Sequence, residues 1–172
     1  MAGKGPARSA GILLYRFADS TVHVWIAHMG GPFWAGKETA AWSIPKGLYD
    51  GDEDPWQAAR REFTEETGYP VPAAAFFTLG TFRQPSGKLL TAFAGAPDAG
   101  TGGFDPTKIS SNTFALEWPK GSRVLREYPE LDRAEWTSIA GARERLVKGQ
   151  RPLLDALLQH LEDTETEENR ML

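Results

Sequence analysis

The residues able to do chemistry concentrate in positions 47–69, GLYDGDEDPWQAARREFTEETGY. This stretch holds seven acids (Asp50, Asp52, Glu53, Asp54, Glu62, Glu65 and Glu66) and two arginines, Arg60 and Arg61. Its second half carries helix punctuation at both ends. Asp54 is an N-cap residue, Pro55 suits the first helical position, and Gln57 stands where a capping box takes Glu or Gln. Gly68 terminates a helix naturally and Pro70 forbids its continuation, which predicts a helix over 55–67. At about 100° per residue, Trp56, Ala59 and Phe63 form an apolar stripe, and Glu62, Glu65 and Glu66 gather on the neighbouring arc. Like charges at these spacings repel by about a few tenths of a kcal/mol per pair, and a divalent cation removes that penalty. Clustered carboxylates without thiol or imidazole suit a hard, oxygen-seeking ion, Mg²⁺ or Mn²⁺. The bland alternative is a solvated acidic face with Arg60 and Arg61 in ordinary helix ion pairs. The loop, cap and stop that frame the acids favour the metal.

The same residues resemble the Nudix box, Gly-x5-Glu-x7-Arg-Glu-apolar-x-Glu-Glu-x-Gly-apolar. Gly47, Glu53, Arg61, Glu62, Phe63, Glu65, Glu66, Gly68 and Tyr69 fill its fixed positions. Tyr69 stands where an aliphatic residue is usual. The resemblance implies hydrolysis of a nucleoside diphosphate linked to a group X, giving a nucleoside monophosphate and phosphorylated X. It implies that Glu62, Glu65 and Glu66 bind the metal, with the Gly47 carbonyl as a further ligand. It also implies that Arg61 orients the carboxylates and that Glu53 is a structural acid. For the general base, the segment before Glu135-Trp136 offers Glu127 and Glu130, of which Glu130 is preferred; Glu62 is the second candidate.

The chain has 172 residues, 41% hydrophobic and 24% charged, as expected of one globular domain with a sizeable core. It contains no cysteine, so disulfides, thiolate nucleophiles and Cys-ligated zinc are excluded. The segment 161–172 holds five acids and one arginine and carries the whole net charge of −4. The neutral remainder lacks the basic stripe of a nucleic-acid binder. No apolar run reaches the ~18 residues of a membrane span, and no targeting segment is convincing, so the expected location is the cytoplasm. His23, His28 and His160 lie apart in sequence and read as structural. Water activated by metal therefore fits better than covalent catalysis.

These residues must be positioned by the flanking elements. Residues 9–17 and 22–29 read as a hairpin about Asp19-Ser20. Residues 30–40 are a loop with Phe33 and Trp34 exposed, and 42–44 a short strand leading into Pro45-Lys46-Gly47. After the box, strands are expected at 76–83 and 89–94 around a Pro/Gly turn, a mobile loop at 97–108, and a strand at 112–118 with Phe114, Leu116 and Trp118 on one face. A polar loop at 119–133, a short strand at 135–137, and helices at 138–147 and from Pro152 follow. Residues 164–172 read as a disordered acidic tail. Strands on both sides of one helix, with more helices at the end, predict an α/β fold with a mixed sheet between helical layers. This agrees with the Nudix α/β/α sandwich as a single domain, with its ordered core at about 7–161.

Substrate choice rests on the flanks of the box. WSIPKG, residues 42–47, is similar to the WSFPKG lead-in of diadenosine polyphosphate hydrolases and diphosphoinositol phosphatases, which implies that Lys46 faces a phosphate. The tyrosine those adenosine hydrolases often carry after the box is missing, with Ser86 and Gly87 in that region. Pro85, with Arg83 beside it as a substrate-binding candidate, resembles the post-box proline of ADP-ribose pyrophosphatases. A nucleotide-type small molecule is expected, with a dinucleoside polyphosphate first and ADP-ribose or a nucleotide sugar second. A nucleotide-binding module without catalysis, and an interaction protein that uses Phe33/Trp34 and the last helix as a homodimer, remain open.

Overall fold

A computed structural model describes residues 5–99 and 103–172. Nine strands and three helices follow in the order β1 (Arg8–Ala18), β2 (Thr21–Met29), β3 (Trp42–Ser43), β4 (Lys46–Tyr49), α1 (Pro55–Thr67), β5 (Phe77–Arg83), β6 (Leu89–Gly95), β7 (Thr113–Glu117), β8 (Leu125–Pro129), β9 (Leu131–Ser138), α2 (Ile139–Arg145) and α3 (Pro152–Arg170).

β1 is the central strand. Residues 9–14 are all buried, the near-continuous run expected of a strand covered on both faces. It pairs in parallel with β6, from Arg8 opposite Leu89 to Leu14 opposite Gly95. On its other edge its two halves take different partners. Leu14 to Ala18 pair antiparallel with β2, while Arg8 to Gly11 pair antiparallel with β4. The edge therefore forks, and β2 continues outwards to β3 and β9. The hairpin turn puts Asp19 and Ser20 at φ 50° and 64°, the positive values that match the twist of paired strands.

Alternation along β1 divides the core into two layers. Leu13 joins Val24, Trp42, Leu90, Leu153 and Leu157 beneath α2 and α3. Ile12 and Leu14 join Trp25, Ala58, Ala59 and Phe63 beneath α1. This is an α/β/α sandwich around a mixed sheet.

α1 has the predicted bounds. The Asp54 carboxylate accepts from the Gln57 amide, and Gly68 closes the helix at φ 80°. Other expectations need correction. Residues 46–49 form a strand, because their amides find partners along the free half-edge of β1. The polar loop expected at 119–133 contains β8, paired with β7 as a separate two-stranded sheet, and the start of β9. Its alternation is masked by Arg126, Glu127 and the prolines. The loop at 97–108 lies partly outside the described residues, but its later half is fixed. Phe104 packs edge-on against Trp25 at 5.3 Å, and the Trp25 indole donates to the Pro106 carbonyl at 3.0 Å.

Residues 164–170, expected to be disordered, continue α3 instead. The extension is solvent-exposed and stabilised locally. Thr164 and Thr166 hydroxyls donate four residues back, and the Gln159 amide donates to Asp163.

Phe63 is fully buried beside Trp25, with ring centres 5.9 Å apart. Phe63→Ala should therefore cost about 3–5 kcal/mol in urea denaturation. A cost below 1 kcal/mol would mean that the α1 layer does not depend on this ring.

Candidate active site

The loop from β4 and the first turns of α1 are drawn together by one guanidinium. Arg61 donates from Nε and Nη2 to the two Glu53 oxygens, at 3.0 and 3.1 Å. Nη1 reaches Glu62 at 2.6 Å and Glu65 at 3.5 Å, and Nη2 reaches the Leu48 carbonyl at 3.3 Å. The forked, bidentate geometry suits arginine and would not be reproduced by lysine. These carboxylates, Glu53 foremost, hold Arg61 firmly protonated.

The three glutamates are not equivalent. Glu62 and Glu66 point into the fold and are 9% and 8% exposed, while Glu65 remains exposed on the outer side. Burial raises the Glu62 carboxyl against the pull of Arg61. Burial also pushes Glu66 from its ordinary 4.5 up to about 8. The Lys46 amide and ammonium oppose that shift, and the charges of Glu62 and Glu130 reinforce it. The Lys46 amide donates to Glu66 Oε2 at 2.9 Å. Gly47 lies directly over the Glu62 carboxylate, so a β-carbon there would overlap it.

Glu130 arrives from the β8–β9 junction. Its amide donates to the Asn112 carbonyl and its carbonyl accepts from Gly30, both at 2.9 Å. The Asn112 amide in turn donates to the Glu65 carbonyl at 2.9 Å. The structure thus brings Lys46, Gly47, Arg61, Glu62, Glu65, Glu66 and Glu130 to one end of α1, at the fork in the sheet. Glu127 stands away on β8, opposite Ala115.

Arg83 is not in this group. It lies at the end of β5, opposite Leu89, and its guanidinium reaches its own turn at the Gly87 carbonyl. Leu89 is a wall of a cavity of about 590 Å³ that also takes in Arg8, Leu48, Tyr49 and Asp50. The histidines lie elsewhere. His28 is buried between Asp132 and the Lys37 carbonyl, each 2.8 Å away, and His160 stacks on Phe77 at 3.7 Å.

Sequence reasoning missed the main-chain members of the site, the Leu48 carbonyl and Asn112. Neither has a side-chain signature, because any residue there supplies the same backbone group.

Among the described residues, no three acids already converge as a ready-made metal cage. The donor chemistry nevertheless fits a hard cation. All the facing donors are oxygens, and two of them belong to buried carboxylates that resist ionising until a positive charge compensates them. Glu62, Glu65, Glu66 and the Gly47 carbonyl are the groups whose oxygens could hold such an ion.

The chain matches the NUDIX domain over residues 5–157. It belongs to the Nudix family and is a Nudix hydrolase. No curated protein sequence matches it. Among solved structures it is similar to a C. elegans Ap4A hydrolase binary complex, with 19% identity, TM-score 0.60, and 91% of this chain and 98% of that chain covered. It is also similar to the NUDIX domain of Shewanella oneidensis NrtR complexed with ADP ribose, with 16% identity, TM-score 0.61, and 93% and 91% covered. A NUDIX hydrolase from Nitrosomonas europaea shows 21% identity and TM-score 0.51, with 94% and 90% covered. At these identities the likeness is one of fold. Among the described residues, no helix is long and apolar enough to cross a membrane.

The Glu66 shift has a measurable consequence without any metal. Below pH 4.5 its carboxyl is protonated in both the folded and the unfolded chain. Between 4.5 and about 8 the unfolded chain releases a proton that the folded chain keeps, so this group's contribution to stability is lost as pH rises. Glu66→Gln carries no such proton. Its stability relative to the parent should therefore improve from about pH 5 to 8 in divalent-free urea denaturation. Parallel pH profiles for the two proteins would show that Glu66 is not held protonated by burial.

Proposed function

We propose that this protein hydrolyses the pyrophosphate linkage of a nucleoside diphosphate derivative, with Mg²⁺ or Mn²⁺ as cofactor. The observation that carries the reading is the pair of buried carboxylates, Glu62 against Gly47 and Glu66 on the Lys46 amide, with Glu130 brought to the same end of α1. Glu62, Glu65, Glu66 and the Gly47 carbonyl would hold the ion. Once bound, the ion neutralises charge on the phosphates and makes a water more acidic.

The chain's own groups do the rest. Arg61 fixes Glu62 and Glu65 relative to the loop. Lys46, its amide already committed to Glu66, turns its ammonium to a phosphate oxygen. Glu130 accepts a proton from the attacking water as the water oxygen bonds to phosphorus. The bridging phosphorus–oxygen bond breaks, and the leaving phosphate departs on phosphorylated X. Arg83 stands at the end of β5 opposite Leu89, so any contact it makes with substrate lies at a distance from the reacting phosphorus.

The WSIPKG lead-in favours a dinucleoside polyphosphate as substrate. The Pro85–Arg83 turn supports ADP-ribose or a nucleotide sugar as the second reading. A panel of nucleoside diphosphate derivatives with Mg²⁺, read for released monophosphate, separates the two. No turnover of any member would sink the enzymatic reading and leave a nucleotide-binding module.

Divalent ion should raise the melting temperature by linkage, with calorimetric binding that Glu65→Gln and Glu66→Gln both weaken. Those variants should lose turnover while remaining folded. Unfolded variants with normal specific activity would make the acids structural.

For the base, Glu130→Gln should lower kcat by about 10²–10⁴-fold with metal affinity retained, whereas Glu127→Gln should do little. If Glu130→Gln turns over normally and Glu62→Gln does not, the base lies in the helix. Label from H₂¹⁸O should enter a phosphate product. Its appearance only in a non-phosphate product would exclude attack at phosphorus.

A further inference from the structure

The β7–β8 hairpin has no role in the reading above. It belongs to a two-stranded sheet of its own, and two strands alone are marginal in water. It also exposes large apolar side chains: Trp118, Val124 and Leu125 are 38%, 47% and 73% exposed. A surface of this kind persists best when something packs on it.

Leu125 pairs with Glu117 and so faces away from Phe114, Tyr128 and Arg126; it is this second face whose place in the fold points to a ligand. Both feet of the hairpin are tied to the candidate site. Before β7, the Asn112 amide bonds the Glu65 carbonyl, and after β8 the Glu130 amide bonds the Asn112 carbonyl. Register places Phe114 opposite Tyr128 and Leu116 opposite Arg126 on one face, with ring centres 6.1 Å apart in the first pair. Phe114 stands on the backbone of Gly31, where a β-carbon would meet the ring at 2.9 Å.

The ring pair lies two residues from Asn112 and Glu130, about 7 Å along the strands, and Arg126 lies about 13 Å out. The tip is basic. Across the hairpin, residues 113–129, Lys120, Arg123 and Arg126 outnumber Glu117 and Glu127 by one, in a chain of net charge −4. An aromatic platform followed by a guanidinium, extending outwards from a phosphate-cleaving centre, matches a heterocyclic base with phosphates attached.

We propose that the β7–β8 hairpin binds the far end of the substrate: a base stacks on Phe114 and Tyr128 while Arg126 takes a phosphate oxygen. The substrate then carries a nucleoside at both ends of its phosphate chain, and a bare sugar in that place leaves the rings uncovered. This rests on the pyrophosphohydrolase reading and narrows it to dinucleoside polyphosphates.

Calorimetric titration of the full chain with Mg²⁺ and a methylene-bridged diadenosine tetraphosphate tests it. Methylene-bridged ADP-ribose serves as the ligand without a second base. Tyr128→Ala and Phe114→Ala should each weaken the dinucleotide analogue roughly 5- to 150-fold. Tyr128→Phe should restore near-parental binding, Arg126→Gln should weaken binding with reduced salt dependence, and the ADP-ribose analogue should bind all variants alike. Parental affinity in the alanine variants, equal losses for both ligands, or no binding of the dinucleotide analogue by the parent would overturn the proposal. Hydrolysis of unmodified diadenosine tetraphosphate by the parent is measured separately. Hairpin-dependent binding without turnover would sink the enzymatic reading and leave the hairpin site standing. Turnover indifferent to the hairpin would do the reverse.

Discussion

The structure depends on burying two carboxylates, Glu62 and Glu66, on the inner side of a helix whose remaining inward positions are Ala58, Ala59, Phe63 and Thr67. Desolvating such groups is unfavourable by itself, so the surroundings must compensate. Arg61 compensates Glu62, and the Lys46 amide compensates Glu66. The Lys46 bond needs β4 to lie close against the helix, which is possible because residue 47 has no side chain. The fork in the β1 edge follows from the same requirement. Were β2 to pair along the whole of β1, no half-edge would be left to hold Lys46 and Gly47 over the glutamates.

The rest of the fold keeps that fork rigid. β1 is clamped by β6 on one side and covered on both faces, so its position is set by two hydrophobic layers. Tyr69, unusual in its place in the box, contributes its ring to the α1 layer by meeting Phe104 edge-on at 5.4 Å. An aliphatic residue there would leave the 104–106 segment without that contact. On the far side, α2 is capped by Ser138 and ends against Trp42, where Leu146 bridges to the sheet. The 45–53 segment thus hangs from β1 and from the α2 side, which hold its approach through Ile12, Val147 and Gln150 hydrogen bonds.

Much of this was legible in the sequence because the signals are local. The α1 bounds follow from Asp54, Pro55 and Gly68, and the site acids from their spacing within one helix. β4 and β8 were not legible. Residues 46–49 carry no alternation, and they become a strand only because β1 has a free half-edge. Glu127 and Glu130 look alike in sequence. Only the pairing of β8 with β7 sends one outwards and turns the other towards Glu66. Arg83 was drawn towards the site by its neighbour Pro85, but a strand lies between it and β1. The helical state of residues 164–170 was hidden by their charge, although Glu and Arg are good helix formers whatever their net sum.

The ion-pair geometry also bears on how a cation enters. In the chain alone, Glu62 and Glu65 converge on Arg61, which explains why no three acids form a cage among the described residues. Arg61 has two further anchors, Glu53 and the Leu48 carbonyl, that do not depend on the helix acids. Turning Glu62 and Glu65 to a divalent ion therefore leaves the guanidinium held on the loop side, with no buried charge stranded. A lone arginine without Glu53 would compete with the ion for the same oxygens. With Glu53 it can give up the 2.6 Å bond to Glu62 and the weak 3.5 Å bond to Glu65 while keeping its bidentate hold on the loop. Under the proposed function, Glu53 would assist the ion without touching it, by giving Arg61 somewhere else to stay.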